Sequence, residues 1–177
     1  SLADISEFSG KITAGKDSQT DENFSIIARL EALIAGRGME EALKRAEAYH
    51  KAGADGVLIH SKKSNPDEIL HFVKEWGNRC PVVIVPTMYY QTPTERFREA
   101  GVSTIIWANH NLRASLAAMR EVSLKIKQEE SLIGIEGNVA NLTEVFDLTG
   151  TREVAEAEKR YLPDNRRRIA SIVLAAS

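Results

Sequence analysis

Arg29 and His60 are the two residues whose type and position point most directly to chemistry. Arg29 interrupts an apolar run, residues 25–31 (SIIARLE), two residues before its end. A guanidinium in such a run is costly unless it meets an anion. Its planar fork suits phosphate or carboxylate. The competing reading is a structural ion pair with Glu31 or with a neighbouring strand. His60 closes another run, residues 57–62 (VLIHSK). An imidazole there can donate to phosphoryl oxygens or move a proton, or it can simply be a hydrogen-bonded core histidine. Lys62 and Lys63 read as solvated loop charges, and Asn111 reads as a helix N-cap.

Four strand-like runs must position these residues: 25–31, 57–62, 81–87 (PVVIVPT) and 104–109 (TIIWAN). Each is followed by a helical pattern. Strand-then-helix repetition predicts parallel strands in a layered α/β fold. Ligands in such folds bind beyond the carboxyl ends of the strands. Arg29, Glu31, His60, Thr87 and Asn109 would share that end. The near-continuous Ile and Val content suits strands covered on both faces.

The helices are punctuated clearly. Leu2, Ile5, Phe8 and Ile12 share one face of a first helix. Met39, Leu43, Ala46 and Tyr49 line a second. Asn65-Pro66-Asp67-Glu68 reads as a capping start, with Asn65 as N-cap and Glu68 reaching back. Thr92-Pro93-Thr94-Glu95 repeats it. Gly53, Gly77 and Gly101 are helix stops spaced one strand-helix unit apart. A last long helix carries Leu112, Leu116, Met119 and Ile126, and two short helices follow over 142–148 and 153–161. Two architectures fit: a small open doubly wound sheet, or half of an eight-stranded barrel, which needs about 250 residues when complete.

At 177 residues, 43% hydrophobic and 27% charged with net charge −2, the chain suits a soluble globular fold without a general nucleic-acid footprint. No apolar run is long enough to span a membrane, and a cytoplasmic location is the default. Cys80 is the sole cysteine, so neither an intrachain disulfide nor a thiolate metal cluster forms. There is no Gly-rich phosphate loop, paired-His metal motif or nucleophile elbow. The strand ends carry no group of aspartates for Mg²⁺.

The segments IIARLEALIAG, EALKRAEAYHKAGADGVLIHSKK, PVVIVPTMYYQTPTERFREAGVSTIIWANHNLRAS and EAEKRYLP resemble the phosphoenolpyruvate mutase family of the isocitrate lyase superfamily. The resemblance covers most of residues 1–163. It implies the second half, strand-helix units 5 to 8, of a (β/α)8 TIM-type barrel plus C-terminal helices. It also implies an isomerase that interconverts phosphoenolpyruvate and phosphonopyruvate, the entry to phosphonate biosynthesis. Arg29 and His60 would be its catalytic and substrate-binding residues, gripping the phosphoryl group. The family's Mg²⁺ ligands and gating loop match no residue of this chain, so the expected metal ligands here are none. Activity would then require the other half of the barrel.

The stretch from Tyr89-Tyr90 to Asn111 is more similar to the mutase than to phosphonopyruvate hydrolase, which stays an alternative along with a carbon–carbon lyase of the same superfamily. A further alternative is a non-catalytic, oligomerising half-barrel. The family resemblance implies a homodimer or homotetramer, with small-molecule substrates and neither nucleic acid nor membrane as partners. Residues 164–177 form a basic linker and an apolar run (IASIVLAAS) that resembles the first strand of a nucleotidyltransferase domain.

Overall fold

The computed structural model describes residues 2–163, so the expected linker and nucleotidyltransferase-like start at 164–177 lie outside the described residues. The chain divides into two units between His110 and Asn111. The first unit holds the sheet. Its elements run α1 (Ile5–Asp17), β1 (Ile27–Leu30), α2 (Gly38–Lys51), β2 (Gly56–Ile59), α3 (Asp67–Trp76), β3 (Val82–Ile84), α4 (Thr94–Ala100) and β4 (Thr104–Ile105). The four strands are parallel and lie in sequence order, β1-β2-β3-β4. The register pairs Arg29 with Leu58, Leu58 with Val83 and Val83 with Thr104.

Burial alternates along β1. Ala28 and Leu30 are buried while Ile27 and Arg29 are exposed. Side chains alternate between sheet faces, so one face packs under the helices and the other is open at β1. The expectation of strands covered on both faces holds for β3, whose three residues are all buried, but not for β1. The core between sheet and helices is built from Leu30, Val57, Ile59 and Ile84 together with Ile69, Phe72, Trp76 and Phe97. Trp76 stacks on Phe72 and donates its indole N–H to the Cys80 carbonyl at 3.2 Å. Cys80 itself is buried, and burial pushes its thiol pKa up. It is an unreactive core group.

The helix stops behave as the spacing predicts. Gly53, Gly77 and Gly101 all take positive φ, which other residues adopt only with strain. The capping starts differ from expectation. Asn65 Oδ1 does accept the Asp67 N–H at 3.2 Å, but Glu68 does not reach back to Asn65; its carboxylate turns to Ser61 and Lys63. Glu95 likewise pairs with Arg98 rather than capping α4.

The runs read as strands are shortened to two to four residues. Polar ends such as Glu31, His60 and Thr87 leave the ladder for the loops beyond it.

Two polar clusters fasten α1 and the residues before it to this unit. Asp55 accepts the Ile26 N–H at 2.7 Å and the Lys16 ammonium at 2.9 Å. Its carboxyl pKa is lowered, first by the Ile26 bond and then by Lys16. Arg45, on α2 and almost fully buried, binds Glu41, the Ala3 carbonyl and the Tyr49 hydroxyl.

The second unit contains most of α5 (His110–Glu129), a single 3-10 turn (Glu136–Asn138), α6 (Leu142–Leu148) and α7 (Thr151–Tyr161). Because α5 starts at His110, Asn111 lies inside the helix and is not its N-cap. Asn141 caps α6 instead, in a reciprocal capping box with Glu144. Leu112, Leu116, Met119 and Ile126 are exposed along α5.

Candidate functional site

The carboxyl ends of β1 and β2 bring Arg29, Glu31 and His60 together. Arg29 sits on the open face of β1 with Leu58 as its register partner. His60 is two residues beyond Leu58, on the same face and nearer the strand ends. Arg29 Nη2 contacts His60 Nδ1 at 2.9 Å, and Arg29 Nε–H is taken by the Glu31 carboxylate. The ion-pair reading of Arg29 is seen directly. The guanidinium also reaches the histidine.

This contact fixes the chemistry of the imidazole. A guanidinium only donates, so Nδ1 must accept and the ring proton must sit on Nε2. Protonation of Nδ1 would destroy the contact. Consistent with this, the His60 pKa is lowered, chiefly by burial and then by the Arg29 charge, with Glu31 opposing. His60 is therefore a neutral Nε2–H donor at neutral pH.

Arg29 has five N–H donors and spends one on Glu31 and one on His60. The remaining guanidinium donors and His60 Nε2–H are not spent on these two contacts. The Arg29 side chain is 57% exposed, so a ligand can reach it.

The loop that follows His60 is tied down. Ser61 is fully buried, donates to Glu68 Oε2 at 2.5 Å and accepts the Lys63 N–H at 3.1 Å. Lys63 Nζ closes the network on Glu68 Oε1 at 2.9 Å. Lys63 is thus a paired loop charge rather than a freely solvated one. Sequence reasoning missed Ser61 and Glu68 as parts of the site. The signal available was a hydroxyl and a carboxylate seven residues apart, flanking the loop after His60.

Thr87 and Asn109 are not joined to the trio by any described contact. The Thr87 N–H binds the Val85 carbonyl at 2.9 Å. Asn109 Oδ1 is buried without a hydrogen-bond partner, as is the hydroxyl of fully buried Tyr89. Burial pushes the Tyr89 pKa up, so the phenol stays protonated.

Of the remaining histidines, His50 leans on the Ala54 carbonyl and His71 lies near Glu75. Among the described residues no group of three or more His, Cys, Asp or Glu is placed to hold a metal ion. Among the described residues the Arg29–Glu31–His60 cluster offers a single carboxylate and does not fit a Mg²⁺ centre. No helix among the described residues is long and apolar enough to cross a membrane.

The sequence pattern of a family described as phosphoenolpyruvate phosphomutase matches residues 1–127. A phosphoenolpyruvate phosphomutase of Tetrahymena pyriformis is 56% identical over 91% of this chain and 54% of its own length. The crystal structure of a phosphoenolpyruvate phosphomutase from Streptomyces platensis subsp. rosaceus superposes with a TM-score of 0.87. It shares 45% identity over 92% of this chain and 56% of that one. A phosphonopyruvate hydrolase solved with oxalate and Mg²⁺ gives a TM-score of 0.85 at 42% identity, over 92% of this chain and 58% of that one. The chain spans about half the length of the curated relatives it matches.

Proposed function

The chain belongs to the phosphoenolpyruvate phosphomutase family, and from that premise we propose that it supplies the phosphoryl-gripping side of a phosphoenolpyruvate mutase active site. The fold question is decided by the same relatives. The four parallel strand-helix units correspond to the second half of a TIM-type barrel, not to a small doubly wound sheet. The proposed reaction is the interconversion of phosphonopyruvate and phosphoenolpyruvate. The carbon–phosphorus bond breaks and its electron pair becomes the enolate of pyruvate. The enolate oxygen then takes the phosphoryl group, with no net gain or loss of protons.

One observation carries this reading: Arg29 and His60 meet at the carboxyl ends of adjacent parallel strands, with the histidine held as a donor. A loose phosphoryl-transfer transition state spreads negative charge over its equatorial oxygens. Fixed N–H donors stabilise that charge without reorganising. Arg29 supplies a permanent positive charge and His60 a neutral N–H, so the pair holds the phosphoryl group while its carbon and oxygen partners exchange. Keeping water from the intermediate separates mutase from hydrolase chemistry.

Mg²⁺ dependence is part of the proposal for the whole enzyme and rests on the hydrolase relative, with ligands outside this segment. Assembly as a homodimer or homotetramer is proposed too, supported by the exposed apolar stripe of α5. A cytoplasmic location and a basic linker leading to a nucleotidyltransferase-like start at 164–177 complete it.

The test is turnover of phosphonopyruvate by a full-length family enzyme carrying this segment. Arg29→Ala should lower kcat by on the order of 10²-fold or more. Turnover unchanged by that substitution would remove Arg29 from the site.

A further inference from the structure

Ser61 follows His60 directly, and its side chain points the opposite way. His60 faces the open side of the sheet, whereas Ser61 is fully buried against the start of α3. A buried hydroxyl left without partners is destabilising. Ser61 avoids this with two bonds, to Glu68 Oε2 and from the Lys63 N–H. Glu68 also binds Lys63 Nζ, so one carboxylate gathers both ends of the turn 61–63. The planar peptide between His60 and Ser61 transmits that constraint to the His60 backbone. The imidazole is then held at two points: its root by the loop, its Nδ1 by Arg29.

We propose that Glu68 is a positioning residue for His60, acting through Ser61 and Lys63 to aim the Nε2–H donor. This rests on the reading of His60 as a phosphoryl donor in the proposed reaction. A purely structural role for Glu68 is the obvious rival, since an acidic residue in the first turn favours the helix dipole of α3 in any case. The two differ in what they do to the imidazole. The charges acting on the ring are those of Arg29 on β1 and Glu31 just beyond it, while Lys62, Lys63 and Glu68 lie on the loop and helix after His60.

Deleting the Glu68 carboxylate removes a negative charge, which by itself disfavours protonation of a nearby histidine. Releasing the loop has the opposite effect, because the ring gains water and loses its Arg29 contact. The direction of the shift therefore separates the two roles.

The experiment is ¹⁵N NMR of the His60 ring across a pH titration of a full-length family enzyme carrying this segment, for the wild type, Glu68→Gln and Glu68→Ala. The wild type is expected to show one neutral Nε2–H tautomer. Glu68→Ala is expected to give a tautomer mixture and a titration midpoint moved up toward the ordinary value of about 6.5. Glu68→Gln, which still accepts from Ser61, should fall between them. If Glu68→Ala does not fold, Ser61→Ala carries the same expectation without changing any charge. An unchanged tautomer, or a midpoint that falls, overturns the proposal even if thermal stability drops. Inorganic phosphate titrated into the wild type tests the underlying reading separately. If the His60 Nε2 signal ignores phosphate, the phosphoryl-site reading fails while the ring tautomer still decides the clamp.

Discussion

Replacing Arg29 by lysine keeps the charge and discards the geometry, which makes it the sharpest perturbation of this site. The guanidinium binds Glu31 through Nε and His60 through Nη2 at the same time, with donors left over. An ammonium on a flexible stem has three donors around one point and cannot span all these partners. Glu31 is the charged partner, so the substituted ammonium would turn to it. His60 would then lose the donor that fixes its tautomer, and the substrate would lose a donor in the transition state.

The loss of one such donor costs about 2.7–4 kcal/mol, or 10²–10³ in kcat. If Arg29 were only a structural partner of Glu31, the expectation is different. A half-exposed pair is worth about 0–1 kcal/mol, lysine would largely preserve it, and kcat would hardly change. The assay is phosphonopyruvate turnover in a full-length family enzyme carrying this segment, with kcat and KM measured separately. A fall confined to kcat supports the transition-state role. A kcat within about fivefold of wild type would refute the reasoning.

Four other outcomes are expected. His60→Gln places an amide N–H near the Nε2 position and should retain more turnover than His60→Ala; equal losses in steady-state kinetics would mean the N–H is not what matters. The His60 pKa is lowered in the folded chain, so the unfolded chain binds this proton more readily. Its effect on stability is absent above about pH 6.5 and becomes a growing loss as pH falls through the folded value. Denaturant midpoints for His60→Gln should be flatter in that window, and an unchanged slope would contradict the assignment. Calorimetric titration of Mg²⁺ into this chain should show no tight site, since the described residues gather no metal ligand group; strong binding would place the metal ligands in this half. Trp76→Ala should cost about 3–5 kcal/mol in urea unfolding, because the indole is fully buried, stacked on Phe72 and bonded to Cys80. A cost below about 1 kcal/mol would dislodge it from the core.

The order of elements was legible because parallel strands under helices write themselves as Ile- and Val-rich runs followed by a 3.6-residue periodicity. The buried face of α3 is a case: Ile69, Phe72, Val73 and Trp76 are all buried. The glycine stops were equally readable, since positive φ leaves few alternatives. Arg29 and His60 stood out as polar residues closing apolar runs, and the structure joins them.

Partner choice was not legible. Whether Glu68 caps its helix or binds Ser61 depends on where the loop 61–66 folds back, which no local pattern encodes. Asn111 failed as a cap because α5 begins at His110, two residues earlier than that cap would set it. Arg45 carries no local signal of burial, yet it is buried against the Ala3 carbonyl and Tyr49. The barrel itself was beyond periodicity, since four units suit an open sheet as well as half a closed one; the relatives decide it.

The central claim is that Arg29 and His60 hold a phosphoryl group while it moves between carbon and oxygen. The most direct measurement is ³¹P NMR of phosphonopyruvate incubated with a full-length family enzyme carrying this segment. The account predicts that the phosphonate resonance converts to that of phosphoenolpyruvate, without inorganic phosphate, and that Arg29→Lys slows the conversion by on the order of 10²-fold or more. Release of inorganic phosphate as the main product would make the enzyme a hydrolase, and a phosphonate signal that never changes would contradict the account altogether.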